Sequence, residues 1–137
     1  MPKSADSALR GRSTGDYRVL LIDDDREAVD GLARLLDLHG FKVRGTCDGQ
    51  SALTLARQFQ PQAIVLDIDL PKMNGYELVK QLRALPESAN ALVVAVTGYG
   101  QEQDRARSRA AGFDHHLVKP IEPAALVQLL QANDRSA

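Results

Sequence analysis

Cysteine is nearly missing from this chain: Cys47 is the single one among 137 residues. No internal disulfide can form, and the compartment reads as reducing, hence cytosolic. Cys47 falls in an apparent strand, where the expected role is that of a small buried hydrophobe. An excess of either charge is also missing. With 17 Lys and Arg against 18 Asp and Glu, no overall field draws the molecule to nucleic acid or to an anionic membrane surface. Long apolar runs are missing too. The longest, at 91–96, falls far short of the roughly 20 residues that span a bilayer, and no apolar core of a signal peptide stands near the N-terminus. Neither export nor membrane insertion is expected. Gly98-Tyr99-Gly100 lacks the rest of a dinucleotide fingerprint, and no Walker-type lysine follows a glycine loop. A length of 137 residues with 44% hydrophobic content reads as one ordinary soluble domain with a core of its own, and no second domain is expected.

What is present begins at about residue 16. Residues 1–15 are rich in Ser, Gly, Lys and Arg without a hydrophobic period, and read as a disordered tail or linker in which Lys3, Arg10 and Arg12 are solvated. The ordered domain is expected over 16–134. Residues 17–22 form an apolar strand that stops at Asp23-Asp24-Asp25. Ala28, Val29, Leu32, Leu35 and Leu36 follow at helical spacing, with Gly40 placed as a helix C-terminal glycine. Residues 41–46 read as a strand, and Ala52, Leu55, Ala56 and Phe59 line a helix closed by Pro61. Ile64-Val65-Leu66, rich in β-branched residues, runs straight into Asp67 and a loop punctuated by Pro71 and Gly75. Leu78, Val79, Leu82 and Leu85 mark a third helix ending before Pro86, and 91–96 reads as a fully buried strand ending at Thr97. Residues 101–111 predict a thinly apolar, loosely packed helix. Residues 113–118 form the last strand, ending at Lys119-Pro120, and Leu126, Leu129 and Leu130 mark the closing helix.

Five strands alternating with five helices specify a parallel sheet covered on both faces, because each helix carries the chain back to the same edge. The common doubly wound arrangement of this size is flavodoxin-like, with strand order 2-1-3-4-5. Ligands of such sheets bind outside the carboxyl ends of the strands. That edge would gather Asp23, Asp24, Asp67, Thr97 and Lys119.

The charges of this group restrict its chemistry. Three neighbouring carboxylates stay ionised at neutral pH only beside a compensating cation. All-oxygen donors without histidine or thiolate argue for magnesium, which takes one or two carboxylates, keeps several waters and leaves room for a phosphate. Lys119 supplies a fixed positive charge, and the Thr97 hydroxyl can donate to an incoming oxygen. A carboxylate needs no general base to act as a nucleophile, only relief from repulsion by an anionic phosphoryl group. Phosphoryl transfer to a carboxylate is the natural reaction.

Ile22-Asp23-Asp24-Asp25, the stretch from Leu66-Asp67-Ile68-Asp69 through Leu70-Pro71-Lys72-Met73-Asn74-Gly75, Val96-Thr97-Gly98 and Val118-Lys119-Pro120 together resemble the receiver domain of two-component response regulators. The resemblance covers residues 17 to about 132. It implies that Asp67 takes a phosphoryl group from a histidine kinase or histidine phosphotransfer protein, within two-component or phosphorelay signalling in the cytoplasm. It also implies that Asp23 and Asp24, with Asp67 and the backbone carbonyl of Asp69, hold Mg2+, and that Thr97 and Lys119 bind the phosphoryl oxygens. The Lys119-Pro120 bond is then expected to be cis, with Lys119 paired to Asp67 when no metal is bound. Asp69 and Tyr99, two residues beyond Asp67 and Thr97, would flank the path of a hydrolytic water. The 112–120 stretch is similar to receivers attached to hybrid histidine kinases. With no room for an effector domain, output would pass through the surface of helix 4, strand 5 and helix 5, in a monomer or weak homodimer.

One departure bears on the switch. The residue three before the lysine is usually Tyr or Phe in such domains, and here it is His116. Thr97 and His116 are therefore the expected switch pair, without the usual aromatic ring. His115 and His116 are strand neighbours pointing to opposite faces, which speaks against a shared ion. Three rivals stand beside the receiver reading. Asp67-Ile68-Asp69 is similar to the Asp-x-Asp of haloacid-dehalogenase-type phosphatases, but Leu70-Pro71 follows and the chain is short for a cap. A docking module that is never phosphorylated has no need of clustered acids. A flavodoxin would need hydroxyls and amides, not acids, in the first loop.

Overall fold

The computed structural model describes residues 17–70, 74–98 and 105–136. The expected tail at 1–15, Tyr99 and the first turn expected at 101–104 lie outside the described residues. Strands β1 (Arg18–Ile22), β2 (Lys42–Thr46), β3 (Ala63–Asp67), β4 (Leu92–Thr97) and β5 (His115–Val118) alternate with helices α1 (Arg26–Leu38), α2 (Gly49–Phe59), α3 (Gly75–Ala84), α4 (Arg105–Ala111) and α5 (Pro123–Ser136). The sheet is parallel throughout, in the order β2-β1-β3-β4-β5. This is the flavodoxin-like topology expected from the alternation.

Each face of the sheet has its own core. Leu20, Ile22, Ile64, Leu66, Val93 and Ala95 point to one face, where Ala52 and Ala56 of α2 and Leu78, Val79 and Leu82 of α3 cover them. Val19, Leu21, Ala63, Val65 and Val96 point to the other, under Val29 and Leu36 of α1 and Leu126, Val127 and Leu130 of α5. This is the period-2 alternation of a strand buried on both sides. The residues that end four strand runs continue it. Asp23, Asp67 and Lys119 follow the parity of the α1/α5 face, and Thr97 follows that of Ala95 on the α2–α4 face.

Short-range chemistry sets the helix starts that face the site. Asp25 caps α1, accepting from the Glu27 and Ala28 amides at 3.1 and 3.3 Å, so the third acid of the Asp23-Asp24-Asp25 run serves the helix. Asn74 caps α3 through the Tyr76 amide at 2.7 Å. Gly75 is required by close approach: a Cβ there would lie 2.6 Å from the Ile68 Cα, so only glycine lets α3 begin against the loop that follows Asp67.

Several boundaries differ from expectation. The last strand begins at His115, not at residue 113, because Asp114 turns its carboxylate to the Val93 amide and to Arg83, both at 2.9 Å. Cys47 lies one residue past β2 and is half-buried against the α1/α5 core. Ala28 is exposed and Leu129 only half-buried. The two helix stripes are thus narrower than the apolar pattern suggested.

Candidate functional site

The carboxyl ends of β1, β3, β4 and β5 lie side by side, and backbone bonds fix their tips. The Asp23 amide donates to Thr46 O at 3.3 Å, the Ile68 amide to Val96 O at 3.0 Å and the Lys119 amide to Thr97 O at 2.9 Å. The strand ends that carry Asp23, Asp67, Thr97 and Lys119 are therefore brought to one edge by sheet register.

Asp67 is only 3% exposed. Its Oδ1 accepts from the Asp69 amide at 2.9 Å, and its Oδ2 receives the Lys119 ammonium at 3.0 Å. The same ammonium stands 3.5 Å from Asp23 Oδ2, a second ion pair beyond the expected one. One carboxylate oxygen each of Asp23, Asp24 and Asp67 fall within 4.8 Å of one another. Burial, followed by the negative charge of Asp67, holds the Asp23 carboxyl above its ordinary value, although the Asp25 amide and Lys119 oppose this. Burial alone would lower Lys119, but its hydrogen bond and charge contact with Asp67, and then those with Asp23, hold it above the usual lysine value. The Lys119-Pro120 peptide is cis, as expected.

The donor set fits a hard divalent cation. Three carboxylates converge, one exposed, one half-buried and one buried, and burial with repulsion from Asp67 raises the proton affinity of Asp23, which a cation would lower again. Asp23, Asp24 and Asp67 are the residues that would hold it.

Thr97 sits at the tip of β4, 1% exposed, and its Oγ1 has no hydrogen-bond partner among the described residues. A hydroxyl so withdrawn from water normally has a partner. His116, expected to pair with Thr97 in switching, is on β5, in register with Ala95. Its Nε2 lies 3.0 Å from Ser108 Oγ of α4, while His115 is exposed, so the two histidines do part to opposite faces. Asp69 is exposed beside the site.

From Asp67 and Lys119 a groove of about 720 Å³ extends along Ala28, Gly31, Leu32 and Leu35 of α1. A Cβ at Gly31 would meet nothing within 4 Å. Residue-by-residue reading missed this groove, the Asp23–Lys119 pair and Ser108. Ser108 alone left a signal: it stands three residues before Ala111, on the sparse inner stripe of its helix.

Fold and site together define a doubly wound domain with an acidic pocket and a lysine at the carboxyl edge of its sheet. The chain belongs to the response regulator receiver domain family, whose model matches residues 19–131. Proteins of this family accept a phosphoryl group on an aspartate in two-component signalling. The transcriptional regulatory protein PrrA of Mycobacterium tuberculosis is 39% identical over 84% of this chain. The chain spans about half, 48%, of that relative's length. The chemotaxis response regulator CheY4 of Vibrio cholerae superposes with a TM-score of 0.77 at 26% identity, covering 85% of this chain and 98% of CheY4. A response regulator of Burkholderia pseudomallei, solved with a phosphorylated aspartic acid, a calcium ion and citrate, gives a TM-score of 0.77 at 28% identity over 88% of this chain and 70% of that one. Membership does not favour the phosphatase or docking-module alternatives. No helix among the described residues is long and apolar enough to cross a membrane.

Proposed function

We propose that Asp67 is the phosphoacceptor of this receiver, with Asp23 and Asp24 and the Asp69 backbone carbonyl holding Mg2+. The observation that carries the reading is the convergence of Asp23, Asp24 and Asp67 around a single lysine at the strand ends. Bound there, the cation supplies charge neutralisation for a phosphoryl group entering among carboxylates. Lys119 leaves its resting pairing with Asp67 Oδ2 and binds a phosphoryl oxygen, which frees that carboxylate for attack. Asp67 Oδ bonds to phosphorus as the bond from phosphorus to the donor's histidine nitrogen breaks, and the proton of the departing imidazole comes from solvent. The Thr97 hydroxyl, without a hydrogen-bond partner among the described residues, donates to a second phosphoryl oxygen.

The donor is a histidine kinase or histidine phosphotransfer protein, reaching Asp67 over the apolar groove beside α1. Output runs through the face of α4, β5 and α5. Among the described side chains of α4 only Ser108 and Ala111 are buried, and a helix with so small an inner surface shifts at low cost. Asp69 and Tyr99 set phosphoryl lifetime, with Tyr99 obstructing the water that Asp69 would orient. The domain runs over 16–134, acts in the cytoplasm, and works as a monomer or weak homodimer. Incubation with Mg2+ and acetyl phosphate, followed by intact mass, tests the reading. One added phosphoryl group, lost in Asp67→Ala or in chelator, supports it; equal labelling of Asp67→Ala refutes it.

A further inference from the structure

Helix α4 meets the rest of the domain through one polar and one apolar buried side chain among its described residues. Among its described side chains, those of Ala106, Arg107, Arg109 and Ala110 are exposed and only Ser108 and Ala111 are buried. Ser108, at 1% exposure, is the more deeply placed of the two. Its hydroxyl lies 3.0 Å from His116 Nε2 on β5 and donates to Tyr76 Oη of α3 at 3.5 Å. A serine hydroxyl has one proton to give, so donation to Tyr76 requires Nε2 to carry its own and donate to Ser108. The Tyr76 ring completes the contact, with the Arg107 guanidinium 4.1 Å above it and Phe113 edge-on at 6.1 Å.

His116 is paired with Ala95, two residues before Thr97, and strand alternation puts Ala95, Thr97 and His116 on one face. The ring that anchors α4 therefore shares its sheet face with the Thr97 hydroxyl, which has no partner among the described residues. We propose that Ser108 is the positioning residue of the switch: its hydroxyl holds His116, and through it α4, in the resting arrangement, and modification of Asp67 frees α4 by drawing Thr97 away and loosening that bond. The inference rests on Asp67 being the phosphoacceptor. It departs from a purely aromatic switch, because a hydrogen bond, not ring volume, decides the resting position.

The test is amide hydrogen exchange at residues 109–112 and 115–118 in the full chain, with Mg2+, before and after addition of beryllium trifluoride as a stable phosphoryl mimic. One net hydrogen bond corresponds to about tenfold in the local opening equilibrium. Ser108→Ala and His116→Phe should each speed exchange at α4 about tenfold in the unmodified protein. The double variant should be no faster than either single one. His116→Gln, which keeps a donor near the Nε2 position, should hold the slow rate of the parent chain. Beryllium trifluoride should speed α4 in the parent chain and add little in Ser108→Ala. Parent rates in Ser108→Ala, additive effects in the double variant, or a slow His116→Phe beside a fast His116→Gln would each overturn the proposal. Intact mass after acetyl phosphate keeps the two readings apart. Mass gain with α4 unaltered by the substitutions overturns the latch alone, and a measured latch without mass gain overturns the reading of Asp67.

Discussion

The Lys119 ammonium sits 3.0 Å from Asp67 Oδ2 and reaches Asp23 Oδ2 at 3.5 Å with the same atom. A single cation thus balances two carboxylates that come from different strands, and a third, Asp24, stands beside them unsupported by it. The resting site carries more negative than positive charge, and an ion is the natural complement.

Replacing Lys119 by Met should expose that imbalance. Asp67 would stay buried with its ammonium partner gone, which costs about 1–3 kcal/mol and lowers the melting temperature by several degrees. Mg2+ should recover more of the melting temperature in the variant than it adds to the parent chain, since the cation then meets uncompensated acids. Melting curves with and without Mg2+ check this, and an equal response in both proteins counts against it.

Thr97→Val should separate stability from signalling. The buried Oγ1 has no partner among the described residues, so a methyl of similar shape removes a polar group that gains nothing in the unmodified state. Chemical denaturation should show Val stabilising by up to about 1 kcal/mol, the reverse of the usual effect of losing a polar group. The same variant should respond less to beryllium trifluoride at α4. A destabilised variant with a full response would mean that Thr97 is bonded at rest and idle afterwards.

Much of this architecture was open to reading along the chain, and the exceptions share a cause. Asp23, Asp67, Thr97 and Lys119 each end an apolar strand run, so one local signal, a run broken by a polar residue, located all four. Topology then brought them together without knowledge of any side-chain contact. Asp25, the last acid of the run after β1 and not among the expected site residues, caps α1, so two positions along the chain separate a site acid from a helix N-terminus. Arg83 left no local trace. It donates to the carbonyls of Ala89, Ala91 and Gly112 and to Asp114, tying α3 to the starts of β4 and β5 across separations no periodicity encodes. His116 was expected at the switch on resemblance, whereas its bond to Ser108 depends on how α4 packs on β5.

Alkaline stability should carry the mark of Tyr17. Burial, then the charge of Asp134, holds its hydroxyl above the ordinary tyrosine value of 10.0, although the hydrogen bond from Asn133 opposes this. Above pH 10.0 the unfolded chain releases this proton while the folded chain keeps it. Stability is therefore full below that value and falls as pH rises toward the folded one. Lys119, also raised, adds a loss of the same sign. Tyr17→Phe should flatten the part due to Tyr17, and tyrosinate absorbance should show one residue of the folded chain ionising late. Parallel stability profiles for the parent and Phe chains would refute it.

The most direct test of the central claim is chemical mapping of the phosphorylated residue. An acyl phosphate is reduced by borohydride to an alcohol, which turns a phosphorylated aspartate into homoserine. After reaction with acetyl phosphate and Mg2+, reduction and peptide sequencing by mass spectrometry should find homoserine at position 67 and nowhere else. Homoserine at Asp23, Asp24 or Asp69, or its absence from Asp67 in protein that has gained phosphoryl mass, would contradict the account.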